Sequence, residues 1–277
     1  LWIGKVIGIF LKLLGKKGTT FPGFVALKIC PEFIRLLAST FTEGIVMITG
    51  TNGKTTTNNL LASIFKTAGK RIAFNREGAN MLTGITGTLL QNTSFAGKPQ
   101  ATLLSLEVDE ATVPSLSEQL TPRIVVITNF FQDQLDRYGE LDTTIKLVQD
   151  FLPPNSELIL NADDPLVAQI GSGRTRVSYY GASSLPTSRR DSTETREGRY
   201  CSHCGHELSY ELFHYGQLGI YYCSGCGFHR PEPYLEAQGV RQEDTGISFR
   251  IDRDYRIPLQ GIYNLYNALA AFCVADR

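Results

Sequence analysis

The 277-residue sequence has no excess of charge of either sign, because 27 lysines and arginines balance 27 aspartates and glutamates. This balance provides no strong field to attract nucleic acid or an anionic membrane, so nucleic-acid binding is not expected. The sequence also lacks an apolar run that could cross a bilayer, since its longest, at the N-terminus, covers only about 14 residues. With 42% hydrophobic residues, the chain can still bury a core as one large or two smaller domains.

The N-terminal segment, residues 1–43, is predicted to be helical and amphipathic. On a helical wheel, Gly4, Lys5, Gly8 and Lys12 fall on one side of the opening helix, and apolar residues cover the rest. Packing of this helix on the following domain is the favoured interpretation. The alternative is that the helix lies on a membrane surface near a lipid-linked substrate.

From residue 44, short apolar runs alternate with helical periodicity, which predicts an α/β domain over residues 44–277 with a mostly parallel sheet flanked by helices. The strand candidates are GIVMIT, ATLLSLE, RIVVIT and ELILN, because strands covered on both faces are almost continuously apolar. Helices are predicted over 56–68, 143–151 and 265–275. Two later runs, GISFRI and YRIPL, predict a hairpin that returns to the sheet, and the polar stretch 182–199 is predicted to be a solvated linker.

The stretch ITGTNGKTTT, residues 48–57, is typical of a phosphate-binding loop between a strand and a helix. Backbone N–H groups and the helix dipole then converge on a polyphosphate. Lys54 is expected to reach the β and γ phosphates, and the Thr55 hydroxyl to ligate magnesium. The spacing departs from the standard loop, since Ile48 occupies the first glycine position. The predicted ATP contacts in the loop are Thr51, Asn52, Gly53, Lys54, Thr55 and Thr56.

An acidic residue, Glu107, ends the strand candidate ATLLSLE. The carboxyl edge of an open α/β sheet is where ligands bind, and a carboxylate there is stabilised by a cation. Magnesium on Thr55 would supply that cation, so Glu107 is predicted to be a magnesium ligand and, with Lys54, catalytic. The alternative is that Glu107 only caps a helix start, a role that Asp109 and Glu110 are also suited to.

Residues 200–230 hold two Cys-x-x-Cys pairs, and their spacing falls in the range of zinc ribbons. Four thiolates in tetrahedral geometry select zinc, so a structural Zn²⁺ site is predicted in an insertion that interrupts the central domain. Redox-active disulfides are the alternative. The predicted zinc ligands are Cys201, Cys204, Cys223 and Cys226.

The other cysteines and the histidines are expected to stay outside this site. Cys30 and Cys273 lie in apolar surroundings and are predicted to be small buried hydrophobic residues. Four cysteines already complete a closed site, so the histidines are predicted to be surface residues. They are His203, His206, His214 and His229.

The motif GTNGKTTT resembles the nucleotide loop of the Mur ligase family and is similar to that of the related folylpolyglutamate synthases. Further motifs resemble the same family: LEVDEA at 106–111, TNFFQDQLDRYG at 128–139, NADDP at 161–165 and GIYNLYNALAA at 261–271. The resemblance implies the family's central ATP-binding domain, with magnesium on Glu107. It also implies adenine contacts for Asn264 and Asn267, which lie one helical turn apart.

Two residues depart from the family pattern. Gln134 stands where the family usually has a metal-binding histidine, and Tyr263 replaces the histidine of a Gly-x-His-Asn motif. Both changes remove an imidazole, so a second magnesium held by histidine is not expected. A standard amino-acid ligase is therefore less favoured.

The four-cysteine insertion is similar to that of the Mur-type synthetase subunits that amidate the stem peptide of lipid II. This resemblance implies ATP-dependent conversion of D-glutamate to D-isoglutamine, through an acyl phosphate attacked by ammonia from a GatD-type partner glutaminase. It also implies a cytoplasmic protein acting at the inner face of the bacterial membrane. The family's C-terminal domain, with its glutaminase contact and a catalytic aspartate, is expected to be missing after Arg277. A Mur-type or folylpolyglutamate-type amino-acid ligase and a nonenzymatic ATP-binding scaffold are the alternatives.

Overall fold

The computed structural model describes residues 1–13, 20–76, 78–131, 140–191 and 197–277. The helices are α1 Trp2–Leu13, α2 Thr20–Ile29, α3 Phe33–Ala38, α4 Lys54–Thr67, α5 Leu82–Gln91, α6 Val113–Ser117, α7 Glu140–Asp150, α8 Pro165–Ala168 and α9 Tyr263–Ala275. The strands are β1 Gly44–Thr49, β2 Ile72–Phe74, β3 Leu103–Glu107, β4 Ile124–Ile127, β5 Glu157–Asn161, β6 Val177–Ala182, β7 Ser209–Tyr215, β8 Leu218–Tyr222, β9 Leu235–Glu243, β10 Gly246–Arg250 and β11 Asp254–Ile257. All four strand candidates and all three predicted helices are therefore present.

The chain forms two compact units that interleave along the sequence. The first contains Leu1–Thr49, Asn58–Val125 and Lys146–Ser156, and the second contains Gly50–Thr57, Val126–Ile145 and Glu157–Arg277. The domain limits inferred from the sequence, 1–43 and 44–277, stay a prediction.

In the first unit, β3 pairs in parallel with β1 on one side and with β2 on the other. Every residue of β3 is buried, and so is every residue of β1 after Gly44. Helices α2 and α5 cross closely because Gly23 lacks a side chain, and a Cβ there would lie 1.9 Å from the carbonyl oxygen of Thr83. The sequence thus predicts the two apolar strands, and a glycine permits the helix contact beside them.

Helix α1 packs on the following helices through its glycine side. Gly4 is buried, and a Cβ there would lie 2.9 Å from Leu90 of α5. Trp2 meets the Phe95 ring edge-on, with the ring centroids 5.3 Å apart. The rest of the apolar surface faces solvent, since side chains such as Phe10 and Leu13 are 61% and 80% exposed. Packing on the following domain was expected; the contacts are with α2 and α5, and the side that packs is the less apolar one.

In the second unit, β6 pairs in parallel with β5 and with β9, and β10 pairs antiparallel with both β9 and β11. The predicted hairpin is therefore β10 and β11, and β9 joins it to the parallel strands. Helix α9 packs against β5, β6 and β9. The α/β fold with a mostly parallel sheet is confirmed.

Between β6 and β9 the chain inserts the antiparallel hairpin β7–β8, which carries one cysteine pair before β7 and the other after β8. A two-residue turn, Gly216 and Gln217, joins the strands. Tyr221 and two of the cysteines share a small apolar cluster with Ala168 of α8. The predicted linker, 182–199, leads into this insertion, and its residues 192–196 lie outside the described residues.

Within the described part of the chain, no helix combines the length and apolar character needed to span a membrane.

Candidate functional site

The loop between Gly50 and Gly53 in the second unit has the backbone shape of an anion cradle. Both glycines have positive φ, 115° and 86°, a region that other residues rarely adopt. A Cβ at Gly50 would lie 2.5 Å from the Thr128 hydroxyl, so the loop also passes close to a neighbouring segment. Helix α4 begins directly after the loop, at Lys54, and its first N–H groups belong to the same cradle.

The Lys54 side chain folds back over this loop. Its Nζ donates hydrogen bonds to the carbonyl oxygens of Gly50 and Thr51, at 2.5 and 3.2 Å. Asn52 in the loop and Thr55 in the first turn of α4 are exposed. A cation over the loop and polar groups open to solvent suit a polyphosphate ligand, as the sequence predicts.

Asn264 and Asn267 lie at the start of α9 and are both buried. The Asn267 amide donates to Asn264 Oδ1 at 3.0 Å, and its Oδ1 accepts from the Thr57 hydroxyl at 3.5 Å. A Cβ at Gly53 would lie 2.1 Å from the same Oδ1, so Asn267 packs directly against the loop. The structure thus brings Asn267 to the phosphate loop, while its predicted contact with adenine stays a prediction.

The segment after β4 holds the other side of the loop, a role that sequence reasoning missed. Asn129 accepts from the Asn52 N–H through Oδ1 and donates back to the Asn52 carbonyl, at 3.0 and 2.9 Å. The Thr51 N–H donates to the Asn129 carbonyl at 2.9 Å, and the Phe131 N–H donates to the Thr51 hydroxyl at 3.1 Å. The position of Thr51 and Asn52 therefore depends on residues 129–131.

Glu107 ends β3 in the first unit and is only 3% exposed. Asn75 exchanges two 2.7 Å hydrogen bonds with the Glu107 backbone, and the Asn80 amide lies 3.4 Å from Oε1. Asn75 thus holds the Glu107 backbone and Asn80 contacts the carboxylate, and neither asparagine was predicted from the sequence. Because Thr55 and Glu107 belong to different units, their shared magnesium ion stays a prediction.

One acidic residue close to Glu107 in sequence acts as a cap. Asp109 caps the 3₁₀ turn that follows β3, since its side chain accepts a hydrogen bond from the Ala111 N–H at 3.0 Å, which confirms it as a cap.

Gln134, which stands where the family usually has a histidine, lies outside the described residues.

The NADDP motif contributes two buried carboxylates. Asp163 pairs with Arg230 at 2.6 Å and accepts from the Tyr266 hydroxyl at 2.7 Å. Asp164 caps α8, where its Oδ1 accepts from the Leu166 N–H at 3.0 Å. Burial raises the pKa of Asp164 to about 7, against the opposing effect of its hydrogen-bond donors.

This raised pKa predicts a pH-dependent stability. Because the folded-state pKa lies above the unfolded value of 3.8, Asp164 stabilises the fold most below about pH 4, and that contribution declines as pH rises to about 7. Asp164→Asn is expected to carry a constant penalty but no such decline. The difference in free energy of unfolding, variant minus parent, should therefore rise by up to roughly 1.4 kcal/mol per pH unit between about pH 4 and pH 7. Urea unfolding at several pH values measures this difference, and parallel curves for the two proteins would contradict the burial effect.

The four predicted cysteines form one cluster with all Sγ atoms within 4.8 Å of one another. Sγ atoms of different motifs lie close together: Cys201 to Cys226 at 3.6 Å and Cys204 to Cys223 at 3.4 Å. Zinc–sulfur bonds of about 2.3 Å in a tetrahedron would place the sulfurs about 3.8 Å apart, so the cluster has the size of a tetrathiolate site. A redox disulfide would instead join the cysteines within each pair, and all four are free.

Two equivalent turns present these thiols. The Gly205 N–H donates to the Cys201 carbonyl at 2.8 Å, and the Gly227 N–H donates to the Cys223 carbonyl at 3.0 Å. Both glycines have positive φ, 75° and 79°, as tight knuckle turns require. The donor set can hold one metal ion.

The predictions for the remaining histidines and cysteines hold in part. His203, His206 and His229 are exposed as expected, and Cys273 is fully buried, but Cys30 is only half-buried. His214 was predicted to lie on the surface, which is wrong, since it is 3% exposed.

His214 is enclosed because it lies on the inner side of β7. Its Nδ1 lies 2.7 Å from the Ser188 hydroxyl and its Nε2 lies 3.2 Å from the Ala182 carbonyl. Burial lowers the pKa of His214, although Asp163 nearby opposes the shift. The side chain is thus a buried, hydrogen-bonded imidazole of the hairpin.

Comparison with known proteins shows which family the chain is similar to. Residues 48–223 match the Mur ligase middle domain. The chain is 37% identical over 264 residues to the lipid II isoglutaminyl synthase (glutamine-hydrolyzing) subunit MurT of Staphylococcus aureus, which covers 95% of the chain and 59% of that protein. The subunit of the same name from Streptococcus pneumoniae is 36% identical over 276 residues, 98% of the chain and 60% of that protein.

A solved structure, that of a pseudomurein peptide ligase type C from Methanothermus fervidus, superimposes with a TM-score of 0.67 at 29% identity. The match covers 87% of the chain and 47% of the ligase. The chain therefore spans about three-fifths of the length of its two bacterial relatives and about half of the ligase.

Proposed function

The chain belongs to the Mur ligase family, and from that premise we propose that it is the synthetase part of an enzyme that amidates lipid II during peptidoglycan synthesis. The observation that carries the proposal is the 37% identity, over 95% of the chain, to a subunit of a glutamine-hydrolysing lipid II isoglutaminyl synthase. The partner would then be a glutaminase of the GatD type that supplies ammonia.

The proposed reaction first transfers the γ-phosphoryl group of ATP to the α-carboxylate of D-glutamate in the stem peptide. Ammonia then attacks the carbonyl carbon of the acyl phosphate, inorganic phosphate leaves, and D-isoglutamine forms. A carboxylate is a poor electrophile, and its phosphorylation supplies a leaving group. Groups that stabilise the charge on the transferred phosphoryl therefore provide most of the catalysis.

The phosphate loop provides such groups. Lys54 Nζ already lies over the loop carbonyls, from where it can swing to phosphate oxygens, and the N–H groups of the cradle can bind the rest. The other proposed contacts with ATP in the loop are Thr51, Asn52, Gly53 and Thr56. The proposed contacts with adenine are Asn264 and Asn267. Mg²⁺ on Thr55 and Glu107 would neutralise phosphate charge.

The cysteine cluster is proposed to hold a structural Zn²⁺. Four thiolates complete a tetrahedral shell and leave no open position for a substrate or water. The cluster size and the paired knuckle turns support this assignment. The ion would then stabilise the hairpin and take no part in the reaction.

Product analysis tests the proposed reaction. The protein, in its full native length and with its glutaminase, is incubated with lipid II, ATP, magnesium and glutamine, and the stem peptide is examined by mass spectrometry. Replacement of a hydroxyl by an amino group on D-glutamate is the expected result. Addition of a whole amino-acid residue would indicate an amino-acid ligase instead, and ATP binding without any product would indicate a scaffold.

We also propose that α1 and α2 rest on an anionic lipid surface, where the lipid-linked substrate is found. Residues 1–31 contain five lysines and no aspartate or glutamate, so this segment is basic although the whole chain is neutral. On the solvent side of α1, Trp2, Phe10 and Leu13 are at least 61% exposed. An exposed apolar helix face in a lysine-rich segment is the pattern of an interfacial amphipathic helix.

Leu13→Asp should weaken binding to vesicles rich in phosphatidylglycerol by about tenfold, because it places a negative charge in the apolar face. Leu36→Asp is the matched control, since Leu36 is also exposed, at 56%, but lies on α3. Co-sedimentation with vesicles measures both. Two results would contradict the proposed surface: equal binding of the two variants, or binding of the parent to neutral phosphatidylcholine vesicles as strong as its binding to anionic ones.

A further inference from the structure

The inserted hairpin has two functionally different ends. At its open end, the two cysteine pairs precede β7 and follow β8, so a shared ion would tie the strands together. At its closed end, the turn formed by Gly216 and Gln217 packs against residues 130 and 131. The hairpin therefore connects the cysteine cluster with the segment that holds the phosphate loop.

Gln217 makes the polar part of this contact. Its side chain is 1% exposed, and Nε2 donates to the Phe130 carbonyl at 2.8 Å and to Asp164 Oδ2 at 3.3 Å. The same carboxylate oxygen lies 3.4 Å from the Phe130 N–H. The buried amide thus holds the Phe130 carbonyl directly and the Phe130 N–H through Asp164, and its removal leaves buried groups without a partner.

The apolar part of the contact between the hairpin turn and residues 130 and 131 is made by Gly216 and Tyr215. The Tyr215 ring stacks on the Phe131 ring with centroids 6.5 Å apart and an interplanar angle of 11°. A Cβ at Gly216 would lie 2.9 Å from Cε1 of Phe131, so the turn has no space for a side chain here. The hairpin turn therefore packs on one side of Phe131.

The contact continues to the phosphate loop within two residues. The Phe131 N–H donates to the Thr51 hydroxyl, and the preceding Asn129 holds Thr51 and Asn52 through three further hydrogen bonds. A shift of residues 130 and 131 would therefore move Thr51 and Asn52, and with them the neighbouring loop N–H groups that are proposed to bind the phosphates. Binding of charge at such N–H groups depends on their fixed orientation.

We propose that the inserted hairpin positions the phosphate loop, with Gln217 and Gly216 as the positioning residues. The hairpin acts through Phe130 and Phe131, and none of its residues contacts the nucleotide. This inference rests on the proposed binding of ATP at residues 50–55. The insertion then contributes to nucleotide binding, because an ordered hairpin keeps the phosphate loop in its binding geometry.

Two matched pairs of variants test the proposal. Gly216→Ala introduces a Cβ against Phe131 at a residue with φ of 55°, and Gly239→Ala introduces one at φ of 58° with no atom within 4 Å. Gln217→Met removes the buried amide, and Gln169→Met removes a 3.0 Å amide bond to the Leu166 carbonyl, away from the loop. Each control matches its variant in residue type, and the two glycines also match in backbone φ.

Affinity for the fluorescent analogue mant-ATP, with competition by ATP, is measured together with bound zinc and melting temperature. Gly216→Ala and Gln217→Met should each weaken nucleotide binding by about tenfold with zinc retained, while the two controls stay within about twofold of the parent. Parent-like affinity in both test variants, with melting temperatures lowered as in the controls, would show that the hairpin is only structural. If the parent itself does not bind the nucleotide, the proposed function fails, and that result is distinct from a failure of the positioning role.

Discussion

Lys54→Ala is expected to lower ATP-dependent product formation by at least about 100-fold, because the variant lacks the ammonium group that lies over the phosphate loop in the structure. The loss should affect nucleotide affinity less than turnover, since the loop N–H groups remain. The rate of phosphate release in the presence of lipid II and an ammonia source measures the effect.

Lys66→Ala provides the control for this result. Lys66 lies in the last turn of the same helix, α4, and is exposed. It should therefore keep the parental rate. Both variants should retain the parental melting temperature and zinc content, and substantial turnover by Lys54→Ala would mean that the phosphates bind elsewhere.

Cys204→Ser is expected to release the bound zinc and to lower the free energy of unfolding by an amount on the order of 5 kcal/mol, because metal binding contributes directly to folding. A chelator should destabilise the parent by a similar amount and leave the variant unchanged. Zinc content is measured by elemental analysis, and stability by denaturant unfolding.

Cys30→Ser is the control, because Cys30 is half-buried and far from the cluster in sequence. This variant should keep its zinc and respond to the chelator as the parent does. If Cys204→Ser kept full stability and lost only catalysis, the metal would have a catalytic role and the structural assignment would be wrong.

The parallel strands could be predicted where burial on both faces makes a strand continuously apolar. Residues of β1, β3, β4 and β5 are almost all buried, and each forms a short apolar run. Strand β9 was not predicted, because only two of its nine residues are buried and its sequence is mostly polar. Its position depends on pairing with β6, which the local sequence does not encode.

The orientation of α1 could not be predicted from periodicity. The pattern shows an apolar side and a side with Gly4 and Gly8, and burial of the apolar side was the natural expectation. In the structure, Gly4 makes the close contact because it lacks a side chain, and Leu90 fills the space. Close approach at a glycine determines the packing here, and a helical wheel does not record it.

The phosphate loop and the cysteine cluster could be predicted because their residues are adjacent in sequence and their spacing determines the geometry. Asn75, Asn129 and Gln217 could not, since each acts through contacts with residues 32 to 87 positions away. The surface prediction for His214 was wrong because the prediction rested on the position of this residue between the cysteine pairs in sequence. The alternation of β7 turns its side chain inward, to Ser188.

The most direct test of the central claim is transfer of labelled nitrogen. Lipid II, ATP and magnesium are incubated with the full-length protein, its glutaminase partner and glutamine labelled with ¹⁵N in the side-chain amide. We expect ¹⁵N in the α-carboxamide of D-isoglutamine, located by fragmentation of the stem peptide, and no label when ATP is omitted. An unlabelled stem peptide, or one extended by an amino acid, would contradict the proposed amidation.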